Sequence, residues 1–522
     1  MKNSQAVGFV WFITLVALVL RLYPVWTSPM PLNDGGLFYT MINDLLHNHF
    51  SMPLFTTYNG GSIPFTYPPF AFYLAAIIVK SLGVQTIDVV RLLPPILSVL
   101  SIPAIFALGR KLLKSDIIAA FAAMFFAFTP LAFDWQIMGG GLTRSLGQLF
   151  FILTISALYD FYVEPSSKNM VMVSLWAILT VYSHPESAEQ ALLVSCWVWI
   201  YFSRSKTILI KSIGSAIIVA ILTLPWWGTL LSRFGFAPII AVFSSAWQQS
   251  VPFIGRIFIL FTLNFADEPY LTLITVLGLI GLFIAFSKKQ PFIPIWILLA
   301  LLIDSRSGSR FATIPLALLA AIAIKDAIIP AILHIQKDQN DLLDLEQTLL
   351  GSNWLKIFTG YAIVTLVISA YFTSLNVRQN LTVLPAEKNA LIWLSKNTET
   401  DAVIVAITGG RNPLLDAFTE WLPAISERHV STSAFGQEWL DGKVFGDSLR
   451  AYRDLQACAN DKETCLNSWM KQHGTFAYVI FVLRDRDYPL RAFLFQSGDY
   501  QQVFEKNGVS IFQYKVTMDS RQ

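Results

Sequence analysis

The stretch that decides the fold is Val7–Val25, VGFVWFITLVALVLRLYPV, in which Arg21 is the one charged residue. Its length is close to the roughly 20 apolar residues that a helix needs to cross the hydrocarbon core of a bilayer. No small-residue cleavage site follows it, so we interpret it as an uncleaved first membrane helix. The polar residues that come directly after it are therefore the first candidates for a site at the membrane surface.

Further apolar runs follow, and together with the first they predict about eleven transmembrane helices. The later runs are 88–109, 116–133, 142–163, 169–183, 188–203, 207–229, 269–287, 290–304, 311–333 and 354–374. Hydrophobic residues make up 54% of the 522 residues and charged residues 14%, a balance that excludes an ordinary soluble protein. The density of charged residues roughly doubles from Asn376 onward, which predicts a membrane domain at 1–375 and a soluble domain at 376–522.

The distribution of basic residues predicts the topology, because cytoplasmic loops are enriched in Lys and Arg. If a further apolar segment, Tyr67–Leu82, crossed the membrane, every later basic loop would lie on the outer side. We expect it to be an amphipathic helix in the outer interface instead. The N-terminus of this multi-pass cell-membrane protein is then cytoplasmic and the C-terminal domain extracytoplasmic. The loops predicted to be cytoplasmic carry Arg110, Lys111 and Lys114, Lys168, Arg204 and Lys206, Lys288 and Lys289, and Lys325 and Lys337.

The C-terminal segment has the pattern of a small α/β domain. The predicted elements are a helix at 385–396, a strand at 402–407, a helix at 464–472, a strand at 477–483 and a hairpin of 501–504 with 509–514. Gly409 and Gly410 lack the other glycines of a nucleotide-binding fingerprint, so we interpret them as a turn. On an extracytoplasmic domain, Cys458 and Cys465 are expected to form a disulfide.

With this topology, ionisable residues gather at the outer ends of the helices. Asp34 follows the first helix beside Gly35 and Gly36, where it could act as a general base with open space for a substrate. The alternative is that Asp34 caps the helix that starts near Leu37. Arg144 and Arg310 are candidates for binding phosphate, with Arg306 and Arg21 as weaker ones, although an interfacial arginine can also simply reach for water.

Asp134, His184 and Glu186 have the ligand types that hold a divalent cation, Mg²⁺ or Mn²⁺, against a phosphate. Glu189, Asp267 and Glu268 are weaker candidates for the same role. Each of them could equally be a solvated loop residue. Trp226 and Trp227 fit an interfacial aromatic belt. The net charge of +3 is spread along the chain without a basic run, so nucleic acid is not an expected partner.

The layout of the outer loops resembles the GT-C glycosyltransferases, which include protein O-mannosyltransferases, the aminoarabinose transferase of lipid A and oligosaccharyltransferases. The resemblance rests on Asp34 after helix one, on the segment opened by Tyr67-Pro68-Pro69, on Asp134 before the helix at 142–163, and on Arg310 before Pro315. Asn33 stands where the family commonly has a second acidic residue, which leaves metal dependence open.

The resemblance implies an inverting transferase that moves a sugar from a polyprenyl-phosphate or diphosphate carrier to a lipid, glycan or protein acceptor at the outer membrane face. Asp34 would be the base, and Arg310 would bind the phosphate. Two alternatives remain: a transporter or flippase for a lipid-linked sugar, and a non-catalytic relative that only binds one. Transporters usually place ionisable groups near the bilayer midplane, whereas here these groups lie at the predicted outer face, which favours chemistry at the interface.

Overall fold

The structure is a computed structural model that describes residues 2–202, 205–248, 251–263, 265, 271–303, 306–335, 351–461, 463–484 and 487–515. Helices dominate the N-terminal part of these residues. Their bounds are Lys2–Trp26, Gly36–His47, Phe70–Leu82, Thr86–Leu113, Asp116–Phe128, Gly141–Val163, Ser167–Ser183, Pro185–Phe202, Lys206–Phe234, Ala237–Gln248, Phe253–Thr262, Leu273–Ser287, Phe292–Ile303, Gly308–Ala323, Ile329–Ile335 and Asn353–Asn380. Each predicted apolar run therefore coincides with a helix.

The chain is a membrane protein. Among the described residues, 6 helices are long and apolar enough to cross a bilayer by length and composition. They begin at Gln5, Thr86, Gly141, Lys206, Gly308 and Asn353. The other predicted spans coincide with helices that are shorter or less apolar, so the number of crossings and the sidedness of the termini stay predictions.

The helix Gly308–Ala323 lies at the centre of the membrane part. Apart from Ser309 and Arg310 in its first turn, all of its residues are buried. It packs against Leu273–Ser287, where Gly281 lets the backbone of Leu319 approach. Because the helix is surrounded by protein, the backbone of Arg310 is fixed by its neighbours and does not face lipid.

The helix predicted at Tyr67–Leu82 is observed at Phe70–Leu82, directly after Pro68 and Pro69. Its 13 residues span about 20 Å at 1.5 Å per residue, well short of a hydrocarbon core of about 30 Å. Ala71, Phe72, Ala75 and Ala76 are buried against the rest of the protein. The helix is thus too short to cross, and its location in the interface stays a prediction.

The C-terminal part contains a five-stranded sheet with strands in the order His429–Val430, Val403–Ile407, Tyr478–Val482, Val509–Tyr514 and Tyr500–Lys506. The first three are parallel and the last two are antiparallel to their neighbours. Tyr478–Val482 is buried at every position, as its uninterrupted apolar sequence predicts for a strand covered on both faces. Helices accompany the sheet at Pro385–Asn397, Ala417–Ser426, Gly442–Ala457, Glu463–His473 and Pro489–Gln496.

The loop after the first helix and the C-terminal part are packed together. The backbone N–H of Asn33 donates to the carbonyl of Leu381 at 2.7 Å. The indole N–H of Trp421 donates to the carbonyl of Asn33 at 3.1 Å. Leu37 and Trp421 belong to one hydrophobic core, so this loop lies between the membrane helices and the C-terminal part.

One local prediction is confirmed, and one stretch of the chain differs from the sequence analysis. Cys458 and Cys465 form a disulfide with a Cα–Cα distance of 5.5 Å, which joins the end of Gly442–Ala457 to the start of Glu463–His473. No apolar run is predicted between residues 229 and 269, and the structure has the helices Ala237–Gln248 and Phe253–Thr262 in this interval. Both helices are shorter than the roughly 20 residues that a membrane span needs, so their apolar sequences do not stand out as spans.

Candidate active site

Asp34 lies at the inner wall of a cavity between the two parts, and its side chain is 9% exposed. The Nη2 atom of Arg144 donates to both carboxylate oxygens, at 3.0 Å and 2.8 Å. The backbone N–H of Gly140 donates to Oδ1 at 2.9 Å. The carboxylate is therefore held in one orientation by the start of the helix Gly141–Val163, a pairing that the sequence did not predict.

The glycines around Asp34 allow close backbone contact. A Cβ on Gly139 would collide with the carbonyl oxygen of Asp34, and a Cβ on Gly140 would lie 2.5 Å from Oδ2. Gly35, at a φ of +115°, packs against Gly139 from the other side. We expected Gly35 and Gly36 to make room for a substrate, whereas in the structure they make room for the protein itself.

Asp34 does not cap the following helix. The helix begins at Gly36, and its N-cap, Gly35, has no side chain to accept a hydrogen bond. Glu420, from the C-terminal part, fills this role: its Oε1 accepts from the N–H groups of Gly35 at 3.3 Å and Leu37 at 3.2 Å. The hydroxyl of Tyr58 donates to Oε2 of Glu420 at 3.0 Å.

Glu420 is fully enclosed, and this changes its titration. Burial, followed by the nearby charge of Asp34, raises the pKa of Glu420 well above its ordinary value. The hydrogen bonds from Leu37, Tyr58 and Gly35 oppose this shift but do not cancel it. The raised pKa shifts Glu420 toward its neutral form, which lessens its repulsion from the nearby Asp34 carboxylate.

The predicted phosphate-binding arginines lie on the same cavity as Asp34. The guanidinium of Arg310 lies 4.4 Å from the ring centroid of Trp135, and that of Arg144 lies 5.1 Å from it. Arg306 forms an ion pair with Glu186 at 3.3 Å. Arg21 lies elsewhere, where it donates to Ser98 at 2.6 Å and to the carbonyl of Ala127 at 2.9 Å. Its contacts join neighbouring membrane helices and do not reach the cavity.

His184 joins the helices Ser167–Ser183 and Pro185–Phe202, and its side chain lines the cavity. Burial lowers its pKa to about 4; Glu186 opposes this shift, and the surrounding arginines add to it. Its imidazole is therefore neutral at pH 7. Ser187 Oγ lies 3.4 Å from its Nδ1.

The predicted cation ligands do not form a compact donor set. Glu186 is already paired with Arg306, and Oδ1 of Asp134 accepts from the N–H of Trp135 at 2.7 Å. Within the described part of the chain, no group of three or more His, Cys, Asp or Glu side chains is placed to hold a metal ion. Asp267 and Glu268 lie outside the described residues. This cluster, rich in arginine, therefore fits an anion better than a cation, and we assign no step to a metal.

The cavity has a volume of about 550 Å³. Asp34, Arg144, His184, Glu186 and Arg310, all predicted from the sequence, line it together. Residues of the C-terminal part that were not predicted form its opposite wall. They include Arg411, Asn412, Glu438, Trp439 and Arg453. No local pattern marks these residues, since they reach the cavity only through the packing of the C-terminal part on the loop after the first helix.

Comparisons with known proteins identify solved structures that share this fold. No protein-family model and no curated protein sequence matches the chain. Among solved structures, ArnT from Cupriavidus metallidurans, in the apo state and bound to undecaprenyl phosphate, has a TM-score of 0.58 at 13% identity, with 97% of this chain and 98% of ArnT covered. The archaeal oligosaccharyltransferase AglB from Archaeoglobus fulgidus, in complex with an inhibitory peptide and a dolichol-phosphate, has a TM-score of 0.56 at 14% identity, with 92% of this chain and 69% of AglB covered.

Arabinofuranosyltransferase AftD from Mycobacteria has a TM-score of 0.58 at 13% identity, and this chain, covered to 98%, spans 40% of AftD. All of these neighbours are GT-C glycosyltransferases. The resemblance inferred from Asp34, Tyr67-Pro68-Pro69, Asp134 and Arg310 is thus confirmed at the level of the fold. The chain has the architecture of the GT-C membrane glycosyltransferases.

Proposed function

We propose that the protein is an inverting glycosyltransferase that moves a sugar from a polyprenyl-phosphate carrier to an acceptor at the outer face of the membrane. The observation that carries this proposal is one cavity in which Asp34 and three arginines of the membrane part lie together. The fold neighbours support the class of donor, since AglB was solved with dolichol-phosphate and ArnT with undecaprenyl phosphate.

The phosphate of the donor would bind to Arg310 and Arg306. Guanidinium groups hold phosphate oxygens through paired charge-assisted hydrogen bonds, and these are strong where water is largely excluded. Arg310 is fixed by Trp135 and by a buried helix, so little side-chain freedom is lost when a phosphate binds. As the sugar leaves, the same arginines would stabilise the charge that develops on the phosphate.

The lipid chain of the donor has a suitable place beside the cavity. A groove of about 700 Å³ lies among the helices Gly141–Val163, Ser167–Ser183, Pro185–Phe202 and Lys206–Phe234, and its lining is almost entirely apolar. Phe243 lines the groove, whereas the adjacent Val242 lines the cavity. A prenyl chain in the groove would bring its phosphate to the cavity, as expected for a lipid-linked donor.

Asp34 would act as the general base. Its carboxylate takes the proton of the acceptor hydroxyl or amide while the acceptor atom forms a bond to C1 of the sugar. The bond from C1 to the phosphate oxygen breaks, and the phosphate keeps the electron pair. Attack from the side opposite the phosphate inverts the configuration at C1. Arg144 orients the carboxylate and would balance its charge until the proton arrives.

The substitution Asp34→Asn tests this mechanism. We expect turnover of a polyprenyl-phosphate sugar to fall by about 10²- to 10⁴-fold, the usual contribution of a general base, while undecaprenyl phosphate still binds. Asp88→Asn is a matched control, since Asp88 also pairs with an arginine, Arg91 at 2.7 Å, and does not line the cavity. The measurement is release of polyprenyl phosphate by purified protein. Full activity of Asp34→Asn would exclude the base role, and a wild type that binds the donor without turnover would favour a transporter or a binding protein.

A further inference from the structure

The C-terminal part contributes two arginines, Arg411 and Arg453, to the cavity that holds Asp34 and Arg310. Both side chains are exposed, and neither makes an ion pair or hydrogen bond with any residue in the described ranges. Arginines without partners that converge on a cavity leave positive charge that a bound anion can compensate.

In contrast to Arg411 and Arg453, two of the cavity's arginines from the membrane part are paired with carboxylates. Arg144 is paired with Asp34, and Arg306 is paired with Glu186. Glu438, the acidic residue of the C-terminal wall, forms no ion pair with Arg411 or Arg453 in the described part of the chain, and burial raises its pKa. Arg411 and Arg453 therefore line the cavity without forming an ion pair with any of its described carboxylates.

The backbone that carries Arg411 is held rigidly to the helix that carries Arg453. The loop follows the strand Val403–Ile407, and the Oε1 of Gln456 accepts from the N–H groups of Thr408 and Gly409, both at 2.9 Å. Asp416, at the end of the loop, accepts from the hydroxyl of Tyr452 at 2.7 Å. Tyr452 and Gln456 flank Arg453 on the helix Gly442–Ala457, so one network fixes both arginine-bearing elements.

The same loop is joined to the candidate catalytic loop. The Nδ2 of Asn33, next to Asp34, donates to the carbonyl of Leu414 at 3.1 Å. The loop also leaves the carboxyl end of a parallel strand, the edge at which open α/β sheets commonly bind ligands. The backbone segments that carry the two arginines are therefore held at a defined position relative to Asp34.

We propose that Arg411 and Arg453 form a second anion subsite, which binds a phosphate-type group other than the one held by Arg310 and Arg306. This inference rests on the proposed function and adds to it: donor and acceptor together place two anionic groups in the cavity. The second group is either the outer phosphate of a diphosphate-linked donor or an anionic group on the acceptor. Both are recognised by the same guanidinium chemistry.

Binding measurements on the full-length protein in detergent test the subsite. The variants are Arg411→Gln/Arg453→Gln and the control Arg450→Gln, because Arg450 lies on the same helix as Arg453 and pairs with Asp447. The probes are undecaprenyl phosphate, undecaprenyl diphosphate, and inorganic phosphate added to protein saturated with undecaprenyl phosphate. We expect the double variant and the control to bind undecaprenyl phosphate like the wild type.

If the second group belongs to the donor, the wild type binds the diphosphate more tightly than the monophosphate. In the double variant the ratio of the two affinities falls by about tenfold or more. If it belongs to the acceptor, the two lipids bind alike, and only the double variant fails to bind inorganic phosphate on top of the monophosphate. A double variant that matches the wild type with all three probes overturns the subsite. A wild type that binds neither lipid refutes the proposed function instead, and its binding of inorganic phosphate then reports on the subsite alone.

Discussion

Glu420 is a single residue that joins the two parts of the molecule at the candidate active site. Its Oε1 accepts from two backbone N–H groups at the start of the helix Gly36–His47, and its Oε2 accepts from Tyr58. The helix end would otherwise have buried donors without partners, each of which costs about 1–3 kcal/mol. Glu420 thereby helps to hold the loop that presents Asp34.

The raised pKa of Glu420 predicts a pH dependence of stability. Between the ordinary pKa of a glutamate and the raised folded pKa, the folded protein keeps a proton that the unfolded chain has released. Stability therefore falls as pH rises through this interval and is fully retained below it. Glu420→Gln keeps the Oε1 acceptor but cannot ionise, so we expect a shallower fall. Thermal unfolding in detergent at pH 5 and pH 8 measures the difference.

Glu420→Ala serves as the contrasting variant, because it removes the acceptor for Gly35 and Leu37 altogether. It should be less stable than the wild type at both pH values. Equal pH dependence in the wild type and in Glu420→Gln would contradict a neutral Glu420 in the folded protein.

Individual site residues were predictable only where their position relative to a membrane helix revealed them. Asp34, His184 and Arg310 follow or begin apolar runs, and their placement at one end of the membrane part could be inferred from parity. The Asp34–Arg144 contact could not, because it joins residues 110 positions apart. Glu420, Arg411 and Arg453 lie in the C-terminal part, where no sequence pattern assigns them a role, and only tertiary packing brings them close to Asp34 or to the cavity.

At the scale of elements, the start of the helix Gly141–Val163 depends on Gly139. Its N–H donates to the carbonyl of Leu32 at 3.0 Å, and a Cβ there would press on the backbone of Asp34. We expect Gly139→Ala to destabilise the protein by about 1–3 kcal/mol, as overpacking usually does, and to lower activity by displacing Asp34. Thermal unfolding and turnover measure the two effects.

Gly360 provides the matched control, since a Cβ at this position in Asn353–Asn380 meets nothing within 4 Å. Gly360→Ala should be neutral or stabilising by up to about 1 kcal/mol through helix propensity. Equal stability and activity of Gly139→Ala and the wild type would show that the close contact with Asp34 is not required.

The elements differ in how well a sequence predicts them. Long apolar runs are unambiguous, and the strand Tyr478–Val482 is a continuous apolar segment. Ala237–Gln248 and Phe253–Thr262 are apolar but short, so their sequences do not distinguish a loop from a helix. The two-residue strand His429–Val430 is likewise too short to produce a pattern, although it pairs with Val403–Ile407.

At the scale of the whole molecule, the Cys458–Cys465 bridge reports on topology. An extracytoplasmic domain is oxidised, whereas cytoplasmic thiols are kept reduced. We expect mass spectrometry of protein purified without reductant to find the two cysteine peptides joined. Replacing both cysteines with serine should lower the stability of this region by about 2–3 kcal/mol, from the entropy of the short loop. Free thiols at both positions would contradict the predicted sidedness.

The central claim is that the cavity between the membrane helices and the C-terminal part binds the phosphate of a polyprenyl-phosphate donor. The most direct measurement is an experimental structure of the protein with undecaprenyl phosphate bound. The account predicts a phosphate oxygen within about 3 Å of a guanidinium nitrogen of Arg310 or Arg306, with the prenyl chain in the apolar groove beside Phe243. A phosphate bound away from this cavity, or a prenyl chain bound outside that groove, would contradict it.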